Sequence, residues 1–175
     1  MANSAHRVFH GPFDRHPPVR TILDALNFRL TRIVAINQRL GTRTMRQNFD
    51  LSLTEWRVLG VASALERASF QAIRDTLFMD KAQISRALKV LSLRGLITTS
   101  PCPEDGRQLL VTLTAAGRVL HDRALAVSLQ RNEADLSDLS PAEVETFFDL
   151  LDRIAISVER QLADDAEHDI EDPSP

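Results

Sequence analysis

The sequence predicts a mainly α-helical protein with one small β-hairpin. Between residues 19 and 165, apolar residues recur mostly at spacings of three and four, as on one face of a helix. Residues 108–113 instead alternate between apolar and polar, and the turn dipeptide Asp105-Gly106 precedes them. No apolar run reaches the roughly 18 residues that a membrane-spanning helix needs. A cytoplasmic protein is therefore expected.

Length and composition limit the possible protein classes. A chain of 175 residues with 43% hydrophobic and 26% charged residues suits one globular domain with additional helices, and excludes a large multidomain enzyme. Residues 1–131 contain 19 basic and 10 acidic residues, whereas residues 132–175 contain 2 and 14. All basic residues except Lys81 and Lys89 are arginines. A basic body with an acidic end favours a polyanionic partner.

The first predicted helix is long and amphipathic. Residues 1–18 include Pro17-Pro18 and are expected to form an irregular arm. Residues 19–48 then carry an apolar stripe consisting of Ile22, Leu23, Leu26, Leu30, Ile33, Val34 and Leu40. Because a small chain offers such a stripe little to pack against, we predict an N-terminal dimerisation helix.

Residues 51–115 are predicted to form a winged helix-turn-helix domain. Thr54 is the expected N-cap of one helix, Ser69 begins a short helix, and Asp80 caps the next, with Gln83 in the capping-box position. That helix is expected to end at Gly95. Two short helices joined by Phe78–Asp80 are typical of a helix-turn-helix, and the hairpin that follows supplies the wing.

Two further helices are predicted over residues 116–165. Thr114 caps the first of them, and Ser140-Pro141-Ala142-Glu143 combines an N-cap, a proline at the first helical position and a capping carboxylate. The last helix again carries an apolar stripe, which predicts packing against a second copy of the chain. Residues 166–175 are expected to form an acidic tail.

The helix beginning after Asp80 carries the residues best suited to contact double-stranded DNA. Ile84, Ala87, Leu88 and Leu91 are expected to face inward. The outward face then presents Lys81, Gln83, Ser85, Arg86 and Lys89. Gln pairs well with adenine and Arg with guanine, whereas Lys and Ser suit phosphate oxygens or base edges. A merely solvated polar face is the alternative interpretation.

Arg107 lies at the predicted tip of the wing. A guanidinium on a slender hairpin can enter the minor groove of DNA. Asp105 is expected to support Arg107 through an ion pair. The alternative is an arginine exposed in a turn.

Four stretches of the sequence resemble the MarR family of bacterial winged-helix transcription regulators. They are LTEWRVLGVASAL, DKAQISRALKVLSLRGLI, PEDGRQLLVTLTAAGRVL and LSPAEVETFFDLLDRI. The most specific pattern is D-x-R followed by LT-x-x-G, formed here by Asp105, Arg107, Leu113, Thr114 and Gly117. The resemblance implies a homodimer that binds a palindromic operator and commonly releases it when a small, often aromatic or phenolic, ligand binds.

Two positions depart from the family pattern. Phe78 stands where members often have Gly, and we expect an additional core contact from it. Arg107 is flanked by Gly106 and Gln108 where a second Arg is usual, which predicts weaker minor-groove binding.

We expect a small aromatic or carboxylate effector to bind between the dimerisation helices and the winged domain. Trp56 either packs in the core or lines this pocket, and Arg57 is a possible anion partner. The remaining candidates are His10, His16, Arg20 and Asn27.

Other function classes find little support in the sequence. It contains no phosphate loop, dinucleotide-binding turn, nucleophile elbow or HExxH pattern and no Tyr, so neither an enzyme nor a cofactor site is predicted. The histidine spacing does not suit a metal site. Cys102, between two prolines, is expected to be structural rather than redox-sensing. A nucleoid-type DNA binder and a winged-helix protein-interaction module remain alternatives to a ligand-released repressor.

Overall fold

The computed structural model describes residues 19–65, 68–103, 105 and 108–171, with backbone only for 166–171. They form two compact units, one extending to Leu125 and the other starting at Ala126. The helices are α1 (Leu26–Phe49), α2 (Leu53–Ala64), α3 (Phe70–Leu77), α4 (Lys81–Leu93), α5 (Ala115–Asp135) and α6 (Pro141–Glu171). The strands β1 (Ile97–Pro101) and β2 (Leu109–Leu113) form an antiparallel hairpin. The fold class is as predicted, whereas the predicted arm at residues 1–18 lies outside the described residues.

Helix α1 begins later than the sequence predicts. A 3₁₀ turn over Ile22–Asp24 precedes it, and the Asp24 carboxylate accepts a 2.9 Å hydrogen bond from the backbone N–H of Thr21. This bond is the main reason that the pKa of Asp24 is lowered. The predicted start at Val19 is therefore wrong. The helix ends at Phe49, where Asp50 takes a left-handed conformation with φ of 51°.

Ser52, not Thr54, is the N-cap of α2. Its hydroxyl accepts a hydrogen bond from Glu55 N–H at 3.2 Å, and the Glu55 carboxylate accepts one from Ser52 N–H at 3.0 Å. This reciprocal capping box outcompetes Thr54, which lies within the first turn of the helix. The correction lengthens α2 by two residues.

The helix-turn-helix is present as predicted, apart from the role of Phe78. Ser69 caps α3 by accepting from Ala72 N–H at 3.0 Å, and Asp80 caps α4 by accepting from Gln83 N–H at 2.8 Å. Phe78 adopts a left-handed φ of 49° in the turn, and its side chain is 72% exposed. The expected extra core contact is therefore wrong, because the turn directs Phe78 toward solvent.

The hairpin follows Gly95, the predicted end of the preceding helix, whose φ is 65°. Its register pairs Ile97 with Leu113 and Pro101 with Leu109. Val111 N–H also donates to Ala68 O at 2.9 Å, which ties the hairpin to the segment before α3. Val111 and Leu113 are buried, but Leu109, which the alternation places on the same face, is 49% exposed, so the buried face of β2 does not include the start of the strand.

The core of the first unit lies beneath α4. Its largest fully buried side chains are Leu51, Val58, Leu59, Ile73, Ile84, Leu91 and Ile97. Gly117 on α5 lies so close to the hairpin base that an added Cβ would be 1.9 Å from Leu96 O. Thr114 is the N-cap of α5, as predicted, because its hydroxyl accepts from Gly117 N–H at 3.0 Å.

Helices α1 and α6 expose large apolar side chains. Ile33 and Leu40 on α1 are 61% and 50% exposed, and Val158 and Leu162 on α6 are 55% and 60% exposed. Helix α6 begins at the predicted Ser140 cap, where the Glu143 carboxylate accepts from Ser140 N–H at 2.8 Å. Among the described residues, no helix is long and apolar enough to cross a bilayer.

Candidate nucleic-acid interface

Helix α4 has one buried face and one exposed polar face. Ile84, Ala87 and Leu91 are buried, and Leu88 is half-buried. The exposed side chains include all five predicted DNA contacts on this helix: Lys81, Gln83, Ser85, Arg86 and Lys89. Because the buried face packs against the core, it fixes the position of α4, and the polar side chains on the opposite face point away from the core.

These five residues divide between two grooves on either side of α4. The larger, the wing-side groove, encloses about 630 Å³ between α3, α4 and the hairpin. Its lining comprises Phe70, Gln71, Lys81, Ser85, Leu88, Lys89, Ser92, Thr99, Gln108 and Leu109. Both lysines of the chain therefore border the same groove.

The smaller groove, the α2-side groove, encloses about 300 Å³ between α4 and the start of α2. Gln83 and Arg86 line it together with Ser52, Thr54, Glu55, Ala87 and Val90. The sequence interpretation did not include Ser52 or Thr54 in the interface. No signal in the sequence pointed to them, because the pattern Ser52-x-x-Glu55 indicates only a capped helix start.

Arg94 connects the end of α4 to the junction of α1 and α2. Its guanidinium donates to Asp50 O at 2.6 Å and to Phe49 O at 3.3 Å. The same group lies 3.9 Å from each of the Asp50 and Glu55 carboxylates. Arg94 was not among the predicted site residues, since its partners are distant in sequence.

The wing is described only in part. Arg107 lies outside the described residues, so its ion pair with Asp105 stays a prediction. Asp105 is exposed, and its carboxylate accepts a 3.1 Å hydrogen bond from the Gln108 side chain. Gln108 N–H also donates to Asp105 O at 2.9 Å. Cys102 is buried beside this turn, and its N–H donates to Gln108 O at 2.8 Å.

The predicted effector residues are spread over several elements. Trp56 is half-buried on α2, and its ring centroid lies 5.7 Å from that of His121 on α5. Arg57 is also half-buried, whereas Arg20 and Asn27 are exposed. None of these four residues lines either groove beside α4. His10 and His16 lie outside the described residues.

His121 was not predicted as a pocket residue, although it is the buried partner of Trp56. It is 9% exposed, and its Nδ1 lies 2.9 Å from the Asp122 carboxylate. The sequence offered only weak guidance, because His121 and Trp56 are brought together by packing between α5 and α2.

Comparison with known proteins identifies the family. The MarR family model matches residues 49–108, which contain the helix-turn-helix and the hairpin up to Gln108. A probable transcriptional regulator from Pseudomonas aeruginosa is 30% identical, and its structure aligns over 74% of this chain and 99% of its own with a TM-score of 0.60. The chain belongs to the MarR family.

Two further relatives of this MarR-family chain have functional descriptions. The HTH-type transcriptional repressor IacR of Pseudomonas putida is 25% identical over 65% of this chain and 68% of its own length. PcaV, a transcriptional regulator from Streptomyces coelicolor solved with its natural ligand, is 25% identical. It aligns over 80% of this chain and 99% of its own, with a TM-score of 0.66. The family and fold are those of DNA-binding transcription regulators.

Proposed function

We propose that this protein is a homodimeric repressor that binds a palindromic operator and releases it when a small aromatic or carboxylate ligand binds. The observation that carries the proposal is the exposed polar face of α4, fixed on a buried apolar face. A helix held in this way is suited to enter the major groove. Repression is further supported by the relative IacR, which is a transcriptional repressor.

The two grooves suggest a division of roles along α4. Gln83 and Arg86, beside the α2-side groove, carry the hydrogen-bonding groups that distinguish adenine and guanine. Lys81, Ser85 and Lys89, beside the wing-side groove, suit phosphate oxygens or base edges. Arg107 is proposed to contact the adjacent minor groove.

A homodimer would cover the exposed apolar residues of α1 and α6. Ile33, Leu40, Val158 and Leu162 are each at least half exposed in the single chain. Complete burial of a fully exposed side chain of this kind contributes roughly 1.5–3 kcal/mol, so covering the exposed part of each of these residues contributes about half of that. Two copies would then present two α4 helices to half-sites about one DNA turn apart.

The aromatic pair Trp56 and His121 is the best-supported part of an effector site. The tilted pair of rings offers an aromatic surface to an aromatic ligand, and the neighbouring Arg57 could attract a carboxylate. PcaV, solved with its natural ligand, supports ligand control in a related chain. Such a ligand releases DNA only if it prefers the DNA-incompetent arrangement by a few kcal/mol.

The first test is capture of genomic DNA fragments with the purified protein, followed by titration of the best fragment at two salt concentrations. A short palindrome in the captured fragments is the expected result. Arg86→Ala should reduce discrimination between DNA sequences. Lys89→Ala should weaken binding to all duplexes by a similar factor, and it should lower the salt dependence of the affinity by about one phosphate contact. Arg153→Ala, an exposed arginine paired with Asp149 on α6, is the matched control and should bind normally.

The same experiment separates the alternatives. Capture without sequence preference would indicate a nucleoid-type DNA binder. Failure to bind any duplex at low salt would refute DNA binding through α4 and favour a protein-interaction module.

A further inference from the structure

The distribution of lysine and arginine in this chain is uneven. Arginine supplies 19 of the 21 basic side chains, and the two lysines, Lys81 and Lys89, both lie on α4. Lysine carries a primary amine that can be acylated, whereas the arginine guanidinium stays charged. Chemistry specific to lysine side chains would therefore act on the proposed DNA-binding helix alone.

Both lysines occupy the same side of α4. They lie eight positions apart, which corresponds to about 12 Å along a helix axis, and both border the wing-side groove. Each is exposed to solvent. Among the described residues, neither lysine forms a salt bridge, so no carboxylate there has to be displaced before either amine reacts.

The wing-side groove has space for an acyl group next to the two amines. It encloses about 630 Å³, and its apolar walls are Phe70, Leu88 and Leu109. An acyl chain attached to either lysine could fold onto these side chains while its amide remains in solvent. Modification is thus compatible with an intact α4.

We infer that Lys81 and Lys89 are sites of Nε-acylation by an acyl thioester, and that acylation weakens DNA binding. In the reaction, the deprotonated amine attacks the acyl carbon, a C–N bond forms and the C–S bond breaks. The thiol leaves with one proton, the other proton released by the lysine ammonium passes to water, and no redox change occurs. Each protomer loses two positive charges from its α4 face. This inference rests on the proposed function, because it concerns regulation of the same interface.

The test uses the full chain and acetyl-coenzyme A as the acyl donor. Peptide mass spectrometry identifies the acetylated residues, and affinity is measured for a random-sequence duplex at low salt. We expect amides at both lysines and affinity about tenfold weaker for each lysine charge that is neutralised. The salt slope should fall by about 0.9 for each phosphate that is no longer neutralised by a lysine. Circular dichroism should show unchanged helix content.

The double variant Lys81→Arg/Lys89→Arg is the matched control. It keeps both charges but lacks the two acylable amines of α4, so its own affinity for the duplex should be the same before and after acetyl-coenzyme A treatment. Bound duplex should also protect both lysines of the wild type from acetylation.

Three outcomes would overturn the acylation switch alone: no amide at either lysine, unchanged affinity of the acetylated wild type, or an equal loss of affinity in the treated double variant. Failure of the untreated wild type to bind any duplex would instead refute the proposed function, and the switch with it.

Discussion

The Arg94 guanidinium donates a 2.6 Å hydrogen bond to the backbone oxygen of Asp50, a residue 44 positions earlier in the chain. Asp50 ends α1 in a left-handed conformation, and Arg94 follows the last residue of α4. The bond therefore joins the helix that exposes an apolar face to the helix that exposes the proposed DNA contacts. The guanidinium also donates to Phe49 O at 3.3 Å, so two acceptors fix its orientation.

Replacing Arg94 should weaken this connection. We expect Arg94→Ala to lower the free energy of unfolding by about 1–2 kcal/mol, because it removes hydrogen bonds from a charged guanidinium to two backbone carbonyls, of which the Phe49 carbonyl is partly buried. Arg94→Lys should recover only part of this stability, because a single ammonium cannot reproduce the guanidinium fork. Urea denaturation measures both. Arg153→Ala removes an exposed ion pair and should lower the free energy of unfolding by under about 0.5 kcal/mol. Equal destabilisation by Arg94→Ala and Arg153→Ala would show that the Arg94 hydrogen bonds stabilise the protein no more than an exposed ion pair does.

Gly117 allows α5 to approach the hairpin base. We expect Gly117→Ala to destabilise the protein by about 3 kcal/mol or more, because its Cβ would lie 1.9 Å from the backbone oxygen of Leu96. Gly60→Ala is the matched control, since Gly60 lies within α2 and has no atom within 4 Å of an added Cβ. That substitution should stabilise the protein by about 0.5–1 kcal/mol. Thermal unfolding of both variants checks the prediction, and a well-tolerated Gly117→Ala would contradict the close packing.

Phe78 combines a left-handed backbone with an exposed ring. We expect Phe78→Gly to raise the free energy of unfolding by about 1 kcal/mol, because a left-handed conformation costs an L-residue roughly 1–2 kcal/mol and the 72% exposed ring buries little apolar surface. Phe78→Ala keeps the backbone strain and should change stability by under about 0.5 kcal/mol. Chemical denaturation distinguishes the two. Destabilisation by both variants would mean that the ring makes stabilising contacts after all.

The cap of α6 makes the pKa of Glu143 sensitive to Ser140. Hydrogen bonds from the Ser140 hydroxyl, at 2.7 Å, and from the Ser140 backbone N–H lower the pKa of Glu143. Since its folded pKa lies below its unfolded value, the Glu143 carboxylate contributes stability above the unfolded pKa, and this contribution is lost as pH falls through the folded pKa. Ser140→Ala should raise the pKa of Glu143 toward its ordinary value and reduce this pH dependence.

Carboxyl-carbon NMR titration measures the Glu143 pKa directly. Asp24 is an internal reference, because its lowered pKa arises mainly from the Thr21 backbone N–H and should not respond to Ser140→Ala. An unchanged Glu143 pKa in the variant would show that the Ser140 hydroxyl does not hold the carboxylate.

The sequence predicted those features that depend on local chemistry. The caps at Ser69, Asp80 and Ser140 and the left-handed Gly95 were predictable because each depends on residues within one helical turn. The polar face of α4 was predictable because helical periodicity separates it from Ile84 and Leu91. Ser52 was missed because Thr54 satisfies the same local preference, and only the complete capping box decides between them.

Features formed by distant residues were not predictable. Arg94 and Asp50 meet only after α2, α3 and α4 have packed, and the ring contact between Trp56 and His121 likewise requires two separate helices. The division of α4 into two grooves depends on what lies on each side of it. The spacing of residues within α4 does not predict which groove each side chain borders.

The hydrogen bond from Val111 N–H to Ala68 O also bears on the order of folding. Helices α3 and α4 are adjacent in the chain and can form and pack locally, whereas the hairpin reaches Ala68 only after both have been traversed. Closing a long loop costs entropy before the hydrogen bond at its ends can form. We therefore expect the hairpin base to dock late, so that weakening it would mainly accelerate unfolding and leave the folding rate nearly unchanged.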